Sequence, residues 1–119
     1  MKRILSLVAA LAVAAATVFA VVAYAAPTQS TATKVKVTIK GFKFQLSKRS
    51  ATHGKVTFIV VNKDSIKHDF KIAGKKTPLL KKNQTKSFTV TLKKGKKYTY
   101  ICTVPGHAAG GMKGRFKAT

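Results

Sequence analysis

From residue 35 onward the chain alternates between apolar and polar positions. Val35, Val37 and Ile39 are separated by Lys36 and Thr38; Phe42, Phe44 and Leu46 are separated by Lys43 and Gln45; Gly41 lies between the two runs. A period of two belongs to strands with one face in a core and the other in water. Residues 56–61 are β-branched and apolar on both phases, which predicts a more deeply buried strand. His68, Phe70 and Ile72 share one phase, so that His68 heads a further strand. The same holds for Phe88, Val90 and Leu92, for Tyr98, Tyr100 and Cys102, and for a short final strand over residues 112–117. Residues 50–55, 62–65 and 93–96 have turn composition, and residues 74–82 read as a loop. No stretch of this region has a 3.6-residue period, and no repeat is evident. Seven or so short strands at regular spacing predict an all-β sandwich or barrel.

The start of the chain has another character. Met1-Lys2-Arg3 is basic, and residues 4–26 are apolar except for Ser6 and Thr17, ending in Ala23-Tyr24-Ala25. This pattern predicts a signal peptide over residues 1–25, cut after Ala25. The rival reading is an uncleaved anchor, because the apolar run of 23 positions is long enough to span a bilayer. Either way the remainder works outside the cytoplasm: in the periplasm, secreted, or tethered to the outer face of the cytoplasmic membrane. Residues 26–33 read as a polar linker and residues 34–119 as the folded domain.

Composition narrows the chemistry. The 119 residues hold 24 Lys+Arg against 2 Asp+Glu, a formal net charge of +22, which becomes +20 once Lys2 and Arg3 are removed. Only Asp64 and Asp69 are acidic, so catalysis by paired carboxylates and oxygen-rich calcium or magnesium sites are excluded. At 45% hydrophobic the chain is not a disordered polycation. The single cysteine, Cys102, forms no internal disulfide. A small exported domain without disulfides has a bound metal as one alternative source of stability.

One segment carries that chemistry. Cys102, His107 and Met112 follow a predicted strand on a Gly/Pro-rich loop, with four residues in each gap, and His68 lies far upstream. A thiolate, two imidazoles and a thioether form the ligand set of a trigonal copper site with a weak axial Met. The soft sulfur donors suit Cu(I), and imidazole suits both oxidation states. The strand phases agree, since Cys102 is in register with Tyr98 and Tyr100, and His68 with Phe70 and Ile72.

Through residues 95–112, together with Asn62 and His68-Asp69-Phe70, the chain resembles the cupredoxins, the small blue copper proteins, and the likeness extends over about residues 35–116. The gaps in the ligand loop are similar to those of rusticyanins and auracyanins rather than plastocyanins, whose Cys-to-His gap is shorter. The resemblance implies a Greek-key β-sandwich with one type 1 copper at its end. It implies His68, Cys102 and His107 as equatorial ligands, Met112 as the axial ligand, a one-electron shuttle, and a tyrosine corner at Tyr98. Asp69 stands where relatives often have Asn. It can accept a hydrogen bond from Thr103, but it cannot donate as an amide does.

The remaining features divide between surface and partner. His53 and Asp64 read as turn residues, and Asn83-Gln84-Thr85 fits a glycosylation sequon. Ala108 and Ala109, with Gly110 and Gly111, predict a flat apolar collar at which a partner approaches His107. Lysine pairs, among them Lys93 and Lys94, predict attraction to an acidic redox partner or an anionic membrane surface. Nucleic acid is disfavoured by export and by the lack of an aromatic-basic motif. The expected protein is a monomeric electron carrier and not an enzyme, because Cys–His nucleophilic chemistry lacks an orienting partner and ligands for only one metal are present. Two alternatives remain open: a copper-binding or copper-delivery protein without redox turnover, and a polybasic envelope-binding domain.

Overall fold

The alternation of the first run is realised in full. Val35, Val37 and Ile39 are completely buried along β1 (Thr33–Lys40), while Lys34, Lys36 and Lys40 face water. The computed structural model describes residues 14–18, 20 and 31–119. The proposed cleavage point after Ala25 and the linker up to residue 30 lie outside the described residues, as does most of the leading apolar segment. Among the described residues no helix is long and apolar enough to cross a membrane.

The chain turns at Gly41-Phe42 into β2 (Lys43–Leu46), which pairs antiparallel with β1. On the other side of β1 lies β4 (Gly54–Asn62), running parallel to it, and β7 (Thr85–Leu92) completes a four-stranded sheet in the order β2-β1-β4-β7. The second sheet has the order β3 (Ser50–Ala51), β9 (Lys113–Ala118), β8 (Lys97–Ile101), β5 (Lys71–Ile72), β6 (Lys75–Lys76). The chain passes between sheets after β2, β3, β4, β6 and β7, so β1 and β4, β4 and β7, β3 and β9, and β5 and β8 are neighbours in a sheet without being consecutive in sequence, as in a Greek key. The fold is an all-β sandwich.

Aromatic residues fill the space between the sheets. Phe58 of β4 packs on Phe70 and Phe116 at centroid distances of 5.4 and 5.3 Å, and Phe44 meets Phe70 edge-on at 5.2 Å. Phe58, Phe70 and Phe116 are fully buried. At one end of the sandwich the Lys93 amide donates to the Tyr98 hydroxyl oxygen at 2.8 Å, which is the expected tyrosine corner.

Several local expectations are corrected. Residues 50–55 are not a turn: Ser50–Ala51 pairs parallel with the end of β9, and Gly54 and Lys55 already belong to β4. That pairing joins positions more than 60 residues apart and leaves no local trace. Within the expected loop 74–82, Lys75–Lys76 folds back on β5 through Ala73 and Gly74, both at positive φ, and Leu80 forms an isolated bridge with His68. His68 therefore heads no strand; β5 begins at Lys71. Phe42 is not a core residue of β2. It sits in the turn at φ 57°, next to Gly41 at φ 61°, and is 40% exposed. Among the described residues nine short strands form, against the seven or so expected.

Candidate metal centre

Two loops at one end of the sandwich bring three of the sequence-predicted donors, His68, Cys102 and His107, together. The first leaves β4 at Asn62, whose side chain is fully buried and fully used. Its Nδ2 donates to the carbonyls of Ile66 (2.9 Å) and Leu80 (2.7 Å), and its Oδ1 accepts from the Asp64 amide at 2.9 Å. These bonds fold residues 62–68 back on themselves and set His68 beside Leu80, where the two backbones exchange hydrogen bonds of 3.3 and 2.8 Å. His68 is fully buried.

The second loop follows β8 and is closed by its own backbone. The Cys102 amide donates to the Met112 carbonyl (3.1 Å), the Met112 amide to the His107 carbonyl (3.0 Å), and the His107 amide to the Val104 carbonyl (3.0 Å). Gly106 and Gly111 adopt positive φ of 84° and 112°, a conformation that an L side chain adopts only with strain. Cys102 and Met112 are buried, and His107 is half-buried. Asp69 ties the loops together: its carboxylate accepts from the Thr103 amide at 2.6 Å and from the Thr103 hydroxyl.

His68, Cys102 and His107 offer one donor atom each, all within 4.8 Å of one another. Nδ1 of His68 lies 3.0 Å from Nδ1 of His107, and the Cys102 sulfur lies 4.0 and 3.6 Å from those two nitrogens. Three donors around one transition-metal ion at about 2.0–2.3 Å stand roughly 3–4 Å apart, so the separations fit a shared ion. Nε2 of His68 meets the Asp64 carboxylate at 2.9 Å. An ionised carboxylate only accepts, so Nε2 carries a proton, and Nδ1 is the ring nitrogen that faces the other two donors. The donor set of thiolate and two imidazoles, with a buried methionine joined to the same loop, fits copper.

Electrostatics separates the groups. Burial pushes the Cys102 thiol above its ordinary value, although the amides of Asp69 and Val104 pull it back in part. Burial also pushes the Asp64 carboxyl up, but the amides of Phe42 and Gly41 and the contact with His68 outweigh it and hold Asp64 below its ordinary value. Asp64 is therefore an anion at neutral pH. Both acidic side chains of a chain with 24 cations stand at this centre.

Other predicted residues are placed as follows. Ala108 is half-buried and Ala109 exposed, beside His107. Lys93 and Lys94 are exposed but lie elsewhere: the β8–β9 ladder begins at Lys97 opposite Lys117, next to their turn, and ends at Ile101 opposite Lys113, next to the donors. They thus occupy the far end of the sandwich. His53 is exposed, with Nδ1 3.0 Å from the Thr119 carbonyl, apart from the centre. Sequence reasoning missed two residues. Asp64 is more than a turn former, and Phe42 meets both imidazoles edge-on, at centroid distances of 5.0 Å to His68 and 5.2 Å to His107. The signal for Asp64 was its rarity and its position four residues before His68; for Phe42 there was none.

Residues 7–112 match a family model described as "Cupredoxin-like domain". No curated protein sequence matches the chain. Among solved structures, reduced auracyanin from the photosynthetic bacterium Roseiflexus castenholzii is similar with a TM-score of 0.62 and 20% identity, covering 74% of this chain and 98% of that one. Auracyanin A of Chloroflexus aurantiacus, described as a "blue" copper protein, gives 0.60 and 20%, covering 75% and 100%. Rusticyanin of Thiobacillus ferrooxidans gives 0.61 and 23%, covering 72% and 76%.

Proposed function

The chain belongs to the cupredoxin-like family, and from that premise we propose that it is an exported blue copper protein that carries single electrons between redox partners. The observation that carries this reading is the group of His68, Cys102 and His107, with donor atoms within 4.8 Å on two loops joined by Asp69 and Thr103. His68, Cys102 and His107 would hold the copper, with the Met112 thioether as a further, weaker donor. When bound, copper supplies one-electron exchange between Cu(I) and Cu(II).

The chain contributes the frame. Backbone bonds within residues 102–112 and the Asp69–Thr103 tie hold the donors in one arrangement, which limits rearrangement on electron transfer. His107 is the ligand nearest solvent, so its imidazole edge is the exit for the electron. Ala108 and Ala109 form a small apolar collar that lets a partner approach closely. The lysines act at longer range on an acidic redox partner, and the same charge favours an anionic membrane surface. The N-terminal segment serves export to the periplasm or beyond. Delivery of copper without redox turnover is less well served, because burial and tied loops oppose release of the ion.

The test is the spectrum of the Cu(II) form of the domain and its Cys102→Ser variant. An intense thiolate-to-copper band with reversible one-electron voltammetry, lost on substitution, supports the carrier. A pale ion that chelators remove supports delivery, and a band that survives in the variant excludes Cys102 as ligand.

A further inference from the structure

The Asp64 carboxylate takes three hydrogen bonds that converge from two parts of the chain. The amides of Gly41 and Phe42 donate to it at 2.7 and 3.0 Å, and His68 Nε2–H donates at 2.9 Å. The two amides belong to consecutive residues at φ 61° and 57°. For Phe42 that conformation is costly, and strain of this kind persists where the surroundings over-determine it. Here the surroundings are the carboxylate and the two imidazole rings against which the Phe42 ring stands edge-on. Among the described residues the ion-pair contact of Asp64 is with His68 and with none of the many lysines.

We propose that Asp64 is a positioning residue for the copper centre: anchored by the Gly41-Phe42 turn, it fixes His68 as the Nε2–H tautomer, presents Nδ1 to the metal and raises the donor strength of that imidazole. This rests on the copper reading above. A carboxylate behind a ligating histidine orients the ring and strengthens it as a ligand, and removing such a partner typically costs about 10–100-fold in metal affinity. A fixed negative charge next to the ring also favours the more highly charged Cu(II), so Asp64 holds the reduction potential down against the field of the lysines. The β1–β2 turn, more than 20 residues away in sequence, is thereby part of the metal centre.

The experiment compares wild type, Asp64→Asn and Asp64→Ala, with Tyr98→Phe as a control at the far end of the sandwich. Copper(II) affinity is read by chelator competition, the potential by voltammetry, and the His68 ring by nitrogen NMR of the copper-free protein. Expected are a loss of roughly 10–100-fold in Cu(II) affinity and a raised potential in both Asp64 variants. The Tyr98→Phe control should move neither. Affinity and potential equal to wild type in Asp64→Asn overturn the proposal, as does a His68 ring protonated at Nδ1 in the copper-free wild type. The NMR measurement needs no variant to fold. A wild type that binds no copper, yet shows the Nε2–H tautomer, instead sinks the copper reading and leaves the clamp standing.

Discussion

At the scale of single residues the centre depends on groups whose protonation and polarity oppose each other. Cys102 must ionise to ligate, yet burial raises its pKa in the copper-free protein. The folded apo protein therefore carries the protonated thiol at neutral pH, and copper must displace about one proton. Because the pKa is raised, affinity is lost as pH falls, and below that pKa the apparent copper affinity rises about tenfold per pH unit. Chelator competition at pH 7 and pH 8 reads this; a flat profile would mean that the thiolate is already formed. Met112 contributes a different balance. As the proposed weak fourth ligand it adds a donor that Cu(II) uses and that Cu(I), content with three ligands, does not need, so Met112→Leu should keep copper and raise the reduction potential. Voltammetry of the variant decides, and an unchanged potential removes Met112 from the axial position.

At the scale of elements the site depends on how β8 and β9 approach each other. Tyr100 and Gly114 are directly opposed in that ladder, and a Cβ at position 114 would run into the Tyr100 ring and hydroxyl. Gly114→Ala should therefore destabilise the domain by about 1–3 kcal/mol through overpacking, seen as a lower midpoint in denaturant. Tyr100 and Gly114 lie two residues from Cys102 and Met112, so the same variant should broaden the copper signal before the fold is lost. A fully wild-type midpoint would show that β9 moves aside at little cost. The strand content of this region was legible from alternation, but β3 and β6 were not, and β5 was expected to start at His68 instead of Lys71. Two-residue strands have no period of their own and exist because distant partners offer them hydrogen bonds.

At the scale of the whole molecule the formal charge is +22, the lysines among the described residues are exposed, and the two carboxylates are held at the metal end. Attraction to an acidic partner should raise association rates by roughly 10–1000-fold. That reach shrinks as the Debye length contracts from ~30 Å at 0.01 M to ~10 Å at 0.1 M salt. Stopped-flow electron transfer with an acidic partner should thus slow steeply as salt rises. Neutralising Lys93, Lys94, Lys96 and Lys97, at the far end from His107, should flatten the salt dependence without altering the limiting rate at high salt. Ala108→Glu, at the collar, should slow transfer at every ionic strength. Rates indifferent to salt would detach the lysines from electron transfer and favour an envelope-binding role for them.

Alternation every second residue sufficed for an all-β sandwich, because the two faces of a strand meet core and water whatever its partners are. Cys102 and His107 were equally legible as a pair, since five residues of Gly/Pro-rich loop can fold back far enough to bring two side chains together. His68 could be added because it shares the phase of a buried run, although the bridge to Leu80 rather than a strand holds it. Tertiary structure alone decided the rest. The turn of Gly41 and Phe42 meets Asp64 across more than 20 residues, Asp69 meets Thr103 across 34, and Lys93 and Lys94 fall at the opposite end from the donors. Hydrophobic period reports which side of a strand faces inward. Which loops share an end of the sandwich is set by strand order, and strand order comes from contacts between segments that carry no mark of one another in the sequence.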